Sequence, residues 1–169
     1  MPLCTRVGRI EKTPRSKRLG ASISRDFAAR GIGAGGGELV VVGLLDGVFM
    51  FFGDLVREIE LEHSVDFVSA SSYGLGTVSS GNVQITKDLK FPIRGKHVLI
   101  VDDICDSGHT LAALKQLLSQ RGAASVRTCA LLDKRARREV DVTPDFVGVH
   151  CPDEFVVGYG MDWGGKLRS

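Results

Sequence analysis

Two adjacent carboxylates at the end of an apolar run are the residues of this chain best suited to chemistry. In segment 98–110, Val98, Leu99, Ile100 and Val101 lead into Asp102 and Asp103. Asp106 follows four residues after Asp102, and Ser107, Gly108 and Thr110 open what comes next. A glycine turn at a helix N-terminus presents backbone N–H groups to an anion, and flanking hydroxyls add donors. Carboxylates beside it accept from ribose hydroxyls and suit a hydrated magnesium ion. The spacing describes a site for a phosphorylated sugar, with its phosphate on the loop and its hydroxyls on the acids. A plainer alternative makes the acids a strand end and Ser107 a helix cap. The length of the pattern favours the site.

The flanking elements place that segment. Leu19, Ile23 and Phe27 recur at helical spacing, so a helix is expected over 19–30. A glycine loop (31–37), a β-rich run (38–45) and a second helix (48–59) follow. Residues 65–70 read as a strand and 71–81 as a Ser/Gly-rich excursion. His97 to Asp103 is a buried strand, and Leu111, Leu114, Leu117 and Leu118 put an apolar stripe on a helix over 110–121 that Gly122 stops. Strands are expected at 125–132, 146–149 and 155–158. Alternating strands and helices predict an α/β fold with a mostly parallel central sheet, whose ligands bind at the carboxyl ends of the strands.

Other candidates carry less. Gly31, Gly33 and Gly36 spell G-x-G-x-x-G, but between a helix and a strand, the reverse of a dinucleotide site. The basic run 134–138 reads as a solvated turn with one functional lysine. His97 and His109 have no ligand-spaced partner, Cys105 reads as a core thiol, and Trp163 is open between a base-site edge and the core.

The segment 98–110 closely resembles the signature with which type I phosphoribosyltransferases bind phosphoribosyl pyrophosphate (PRPP). Gly43–Leu55, Val65–Gly74, Leu131–Lys134 and Pro152–Asp162 resemble hypoxanthine-guanine phosphoribosyltransferases, in that family's order and spacing. The resemblance implies that fold with a small hood region. It implies transfer of a phosphoribosyl group to hypoxanthine or guanine, with release of pyrophosphate. Asp102 and Asp103 would hold the ribose hydroxyls and, with Asp162, magnesium. Asp106 would act as general acid/base at N7 of the purine, and Asp106, Ser107, Gly108, His109 and Thr110 would wrap the 5′-phosphate. Lys134 would donate to the 6-oxo group, Phe155 would stack on the ring, and the Val156 backbone and Asp162 would meet its edge. Leu45, Asp46 and Gly47 would form a pyrophosphate loop, often with a non-proline cis peptide, and Arg168 would meet the same group. Ser72 and Tyr73 would belong to a mobile loop. A xanthine-preferring relative and an RNA-binding regulator of the same fold are the alternatives; Lys134 with Phe155, Val156 and Val157 favours the purine enzyme.

Composition agrees. The 169 residues are 43% hydrophobic and 25% charged with a net charge of +2, the balance of one soluble domain rather than a nucleic-acid binder. Residues 1–18 read as a basic, partly disordered leader and 19–169 as the domain. Four cysteines without a CxxC pair read as reduced thiols, so a cytoplasmic chain is expected. No apolar run reaches the roughly 18 residues of a membrane span. A homodimer or homotetramer acting on small molecules is expected from the resemblance.

The chain departs from the family's pattern in three places. The stretch before Leu39 is short and glycine-rich, relatives usually continue beyond the position of Arg168, and Asp46 stands where many carry Lys. An acid there repels pyrophosphate, by about 4 kcal/mol at 4 Å and an effective dielectric of 20 before salt screens it. Asp46→Lys is therefore expected to tighten pyrophosphate binding, a screened remainder of about 1 kcal/mol giving roughly fivefold. Titration at low and high salt checks this; unchanged affinity would mean that the side chain points away.

Overall fold

Apolar runs as continuous as Leu39–Leu45 and Val98–Val101 can be buried on both faces only when helices cover both sides of a sheet. The computed structural model, which describes residues 12–33, 35–72 and 83–169, has that arrangement. The elements run α1 (Lys12–Ala29), β1 (Leu39–Leu45), α2 (Phe49–Val56), β2 (His63–Ser72), β3 (Val83–Lys87), β4 (His97–Cys105), α3 (His109–Gln120), β5 (Ser125–Asp133), a 3₁₀ turn (Arg135–Arg137) and β6 (Phe146–His150). The six strands lie in the order β3-β2-β1-β4-β5-β6. Every neighbouring pair is parallel except β2 with β3.

One face of the sheet is covered by α1 and α2 through Ile23, Phe27, Phe51 and Leu55, the other by α3 through Leu111, Leu114 and Leu118. Each such side chain, fully buried, contributes roughly 1.5–3 kcal/mol. The chain leaves β1 for β2 on one side and β4 for β5 on the other, so the strand order reverses between β1 and β4. That reversal opens a crevice at the carboxyl ends of these two strands.

Three elements differ from expectation. Helix α1 begins at Lys12 rather than Leu19 and so takes up part of the expected leader. There Ser16 is buried and Arg18 donates to the Gly148 carbonyl at 3.1 Å. Strand β3 was hidden because Val83–Lys87 is a short, half-exposed antiparallel edge containing Gln84, Thr86 and Lys87. Conversely, the apolar run 155–158 is no strand. Gly158, Tyr159 and Gly160 all have positive φ (92°, 54° and 105°), which turns the chain back after a single Gly158–Met161 bridge. Tyr73 lies outside the described residues, and Ser72 is the last residue of β2.

Helix α1 holds the segment that follows α2 by close backbone approach. Ser24 Oγ donates to the Gly20 carbonyl at 2.8 Å and accepts the Glu60 N–H at 3.0 Å. A Cβ on Gly20 would overlap the Glu58 carbonyl. Alanine inside a helix normally gains about 1 kcal/mol over glycine, but overpacking against backbone costs about 1–3 kcal/mol. Gly20→Ala is thus expected to lower the melting temperature, by roughly 2–4 °C per kcal/mol of net loss. A rise in the melting temperature would show that α1 shifts freely against the Glu58 backbone.

Candidate active site

The crevice between β1 and β4 is a cleft of about 220 Å³, lined in part by Leu45, Asp46, Gly47, Asp102, Asp103, Asp106, Ser107, Gly108 and Thr110. Nine of the residues singled out from sequence therefore meet around one space. From the β1 side, the chain enters through a cis peptide bond between Leu45 and Asp46. Gly47 then passes so close under Asp103 that a Cβ there would overlap its carboxylate, and a Cβ on Gly160 would overlap the Gly47 carbonyl. The loop is clamped between the acid pair and the 158–161 turn. Tyr159 pins that turn to α2: its hydroxyl donates to Asp54 Oδ2 at 2.6 Å. Burial and the Asp54 bond push the phenol up to about 12.

The acid pair closes the floor. Asp102 is 6% exposed, and its Oδ1 accepts the Asp103 N–H at 2.9 Å; Asp103 Oδ1 accepts the Ile104 N–H at 3.0 Å. Burial, followed by the neighbouring Asp103 charge, pushes the Asp102 carboxyl well above the usual carboxylate range. Burial raises Asp103 too, against its hydrogen bonds and the charge of Arg168. Two desolvated acids side by side are poor anions until a cation or a set of donors arrives.

Among the described residues, no cluster of three or more His, Cys, Asp or Glu side chains makes a protein-only metal cage. Magnesium does not need one: it keeps several waters and is commonly held by one or two carboxylates plus substrate phosphates. The pair Asp102–Asp103 fits an ion that brings its remaining ligands with it.

Asp106 presents a different feature. Its Oδ1 is buried without a hydrogen-bond partner among the described residues; Arg137 Nε is 3.5 Å away, in ion-pair reach but outside hydrogen-bonding geometry. A buried acceptor without a hydrogen bond is a feature that native structures keep chiefly where it has a role. Beyond it, Gly108 caps α3 with φ of 90°. A Cβ there would lie 2.6 Å from Val142 Cγ1 and 2.8 Å from Arg138 Cδ, so space as well as backbone conformation demands glycine. His109 turns sideways, its Nε2 2.8 Å from Glu139 Oε2, and its side chain does not line the cleft.

The remaining expected residues, Lys134, Phe155, Val156, Asp162 and Arg168, do not line this cleft. Lys134 is 5% exposed, makes no ion pair among the described residues, and its backbone N–H donates to the Cys105 carbonyl at 3.0 Å. Phe155 is half exposed and meets Trp163 edge-on, with ring centroids 5.9 Å apart. This puts Trp163 at the open edge and removes it from the core. Val156 is buried in the core, which leaves its backbone for any ligand. Asp162 is engaged by Arg168 Nη2 at 2.9 Å and by the Gly165 N–H at 2.6 Å, and it is not part of the cleft lining. Arg168 also donates to the Gly160 carbonyl at 2.7 Å. Cys105 is a core thiol as expected, pushed up to about 11 by burial.

One residue was misread. Arg138, assigned to a solvated turn, is only 14% exposed and pairs with the buried Asp133. Nothing in the basic run 134–138 distinguishes it from Arg135, which is 65% exposed.

Comparison with known proteins bears on this geometry. The phosphoribosyl transferase domain model matches residues 6–163. A hypoxanthine phosphoribosyltransferase of Salmonella typhimurium is 55% identical over 133 residues, 79% of this chain and 75% of that protein. A hypoxanthine-guanine phosphoribosyltransferase of Aquifex aeolicus is 50% identical over 78% of this chain and 74% of its own. Among solved structures, a hypoxanthine phosphoribosyltransferase from Staphylococcus aureus superposes with a TM-score of 0.85 at 43% identity, covering 93% of this chain and 82% of that one.

The raised acid pair generates a prediction with a definite sign. A carboxyl whose folded-state pKa is raised favours folding while protonated, and that contribution is lost as pH rises through the folded pKa. Asp102→Asn keeps the shape and removes the charge, so it is expected to melt above wild type. The gap should widen as pH rises and close in acid, where Asp102 is itself neutral. Melting curves across pH check this; a gap that is flat with pH would mean that Asp102 is not desolvated.

Proposed function

The chain belongs to the phosphoribosyltransferase family, and we propose that it transfers the phosphoribosyl group of PRPP to hypoxanthine or guanine, giving IMP or GMP and pyrophosphate. The observation that carries this reading is the single cleft onto which the acid pair, Asp106 and the Ser107–Thr110 loop converge. A sugar phosphate seated there sets its 5′-phosphate on the N-terminus of α3 and its hydroxyls on Asp102 and Asp103, and points its C1 substituent toward the Leu45–Gly47 loop.

In the reaction the bond from C1 to the pyrophosphate oxygen breaks and a bond from C1 to a ring nitrogen of the purine forms. The leaving oxygen keeps the bonding electrons, and the purine gives up one proton. Magnesium, when bound, supplies positive charge to the leaving diphosphate. The chain's own groups do the rest. Asp106, which lines the cleft, receives the purine's proton. Phe155 stacks on the ring, and Lys134 donates to the 6-oxo oxygen. Arg168 adds a cation on the acid side, close enough to lower Asp103. In this reading Ser72 and Tyr73 belong to the segment that excludes water from the activated sugar. A cytoplasmic homo-oligomer is part of this reading; among the described residues no helix is long and apolar enough to cross a membrane.

Base choice follows from Lys134, which has three donors and no acceptor. It meets the 6-oxo group of hypoxanthine, guanine and xanthine but opposes the 6-amino group of adenine. A buried donor left unmatched costs about 1–3 kcal/mol, and more when it is charged, so adenine is expected to lose at least roughly tenfold in kcat/KM. Hypoxanthine and guanine should run ahead of xanthine, whose 2-oxo group would face backbone carbonyls near Asp162. Nucleotide formation from PRPP with each of the four bases, with magnesium and with excess EDTA, tests the proposal. Adenine turnover would remove Lys134 from the base site, and turnover in EDTA would remove magnesium from the reaction.

A further inference from the structure

The geometry points to Arg138 as a positioning residue that sets the peptide planes of the phosphate loop, with Asp133 as its anchor. This rests on the proposed transfer from PRPP and adds a residue outside the substrate contacts.

One guanidinium reaches the anchor and two of the loop carbonyls, with backbone N–H groups adding to its hold. Arg138 Nη2 pairs with Asp133 Oδ1 at 2.5 Å and lies 3.3 Å from the Cys105 carbonyl. Its Nε donates to the Asp106 carbonyl at 3.0 Å, and its Nη1 donates to the Val142 carbonyl. Next along the loop, the Ser107 carbonyl accepts the Glu139 N–H at 3.0 Å. Three successive carbonyls, those of Cys105, Asp106 and Ser107, are therefore turned toward segment 138–142.

A trans peptide unit is planar, with its C=O and the following N–H pointing in opposite directions. Turning those carbonyls back aims the N–H groups of Asp106, Ser107 and Gly108 the other way. These three residues line the cleft. The donors that make a phosphate cradle are thus oriented from behind.

Asp133 is suited to anchor the strut. It ends β5, is buried, and also pairs with Arg135 at 3.0 Å and with His150 at 3.1 Å. Burial pushes its carboxyl up, but hydrogen bonds from Arg135, Arg138 and His150 outweigh this and hold it below the usual range. Lysine could meet the carboxylate or one carbonyl, whereas the planar fork of arginine spans them together. Arg135 shares the anchor, yet among the described residues no side-chain contact joins it to a loop carbonyl.

The test compares Arg138→Lys, Asp133→Asn and the control Arg135→Gln. PRPP affinity is measured by calorimetry with magnesium, alongside KM for PRPP and for hypoxanthine and the melting temperature. Arg138→Lys and Asp133→Asn are expected to weaken PRPP binding by roughly tenfold or more, the hypoxanthine KM moving far less. Arg135→Gln should stay at wild type. In Arg138→Ala, millimolar guanidinium should restore part of the PRPP affinity and methylammonium should not. PRPP affinity within twofold of wild type in Arg138→Lys overturns the inference. So does a parallel loss for both substrates that tracks melting temperature, or unfolding of both the Arg138→Lys and Asp133→Asn variants, since the strut would then hold the fold and not the loop. A wild-type protein that neither binds PRPP nor forms nucleotide defeats the transferase reading instead.

Discussion

The site depends on negative charge that the protein itself leaves largely uncompensated. Strand β4 carries Asp102 and Asp103 out of the core side by side, and no cation of the described chain pairs directly with Asp102. Nearby features follow from making room for that charge. Gly47 has no Cβ because Asp103 occupies its place. Arg168 is directed to the Gly160 carbonyl and Asp162, so its charge is felt by Asp103 without cancelling the pair. Burial makes both carboxyls harder to ionise, and binding changes their environment. Stability and function pull in opposite directions at this one point.

Phosphate recognition rests on a second, more local device. A glycine N-cap and two hydroxyl residues are the visible part, and these alone would leave the loop free to choose among peptide orientations. Behind them, segment 138–142 takes up the carbonyls, Val142 and Arg138 fill the space that a side chain at Gly108 would need, and Glu139 occupies His109. The loop is shaped as much by what is packed behind it as by its own sequence.

How much was legible depended on distance along the chain. The segment 98–110 is contiguous, so its acids, glycine and hydroxyls were readable together, and the α/β alternation followed from hydrophobic period alone. Gly47 against Gly160 and Arg138 against Cys105 and Asp106 join distant positions, and their residues look ordinary in isolation. Arg138 sits among other basic residues whose burial no local pattern reveals. Strand β3 escaped because an edge strand needs no apolar face, and 155–158 misled because three apolar residues resemble a strand until the glycine turn behind them is counted. His109 fits the phosphate motif by position, while its side chain is claimed by Glu139, a partner thirty positions downstream.

The chain contains one tryptophan, and it sits edge-on against the half-exposed Phe155 while remaining 59% exposed itself. Indole emission is sensitive to the polarity and stacking of its immediate surroundings, and here all of it arises from one place. The protein thereby carries a built-in optical gauge of the Phe155 ring. Anything that covers that ring changes the colour or brightness of the whole molecule, with no second indole to dilute the change and no dye to attach.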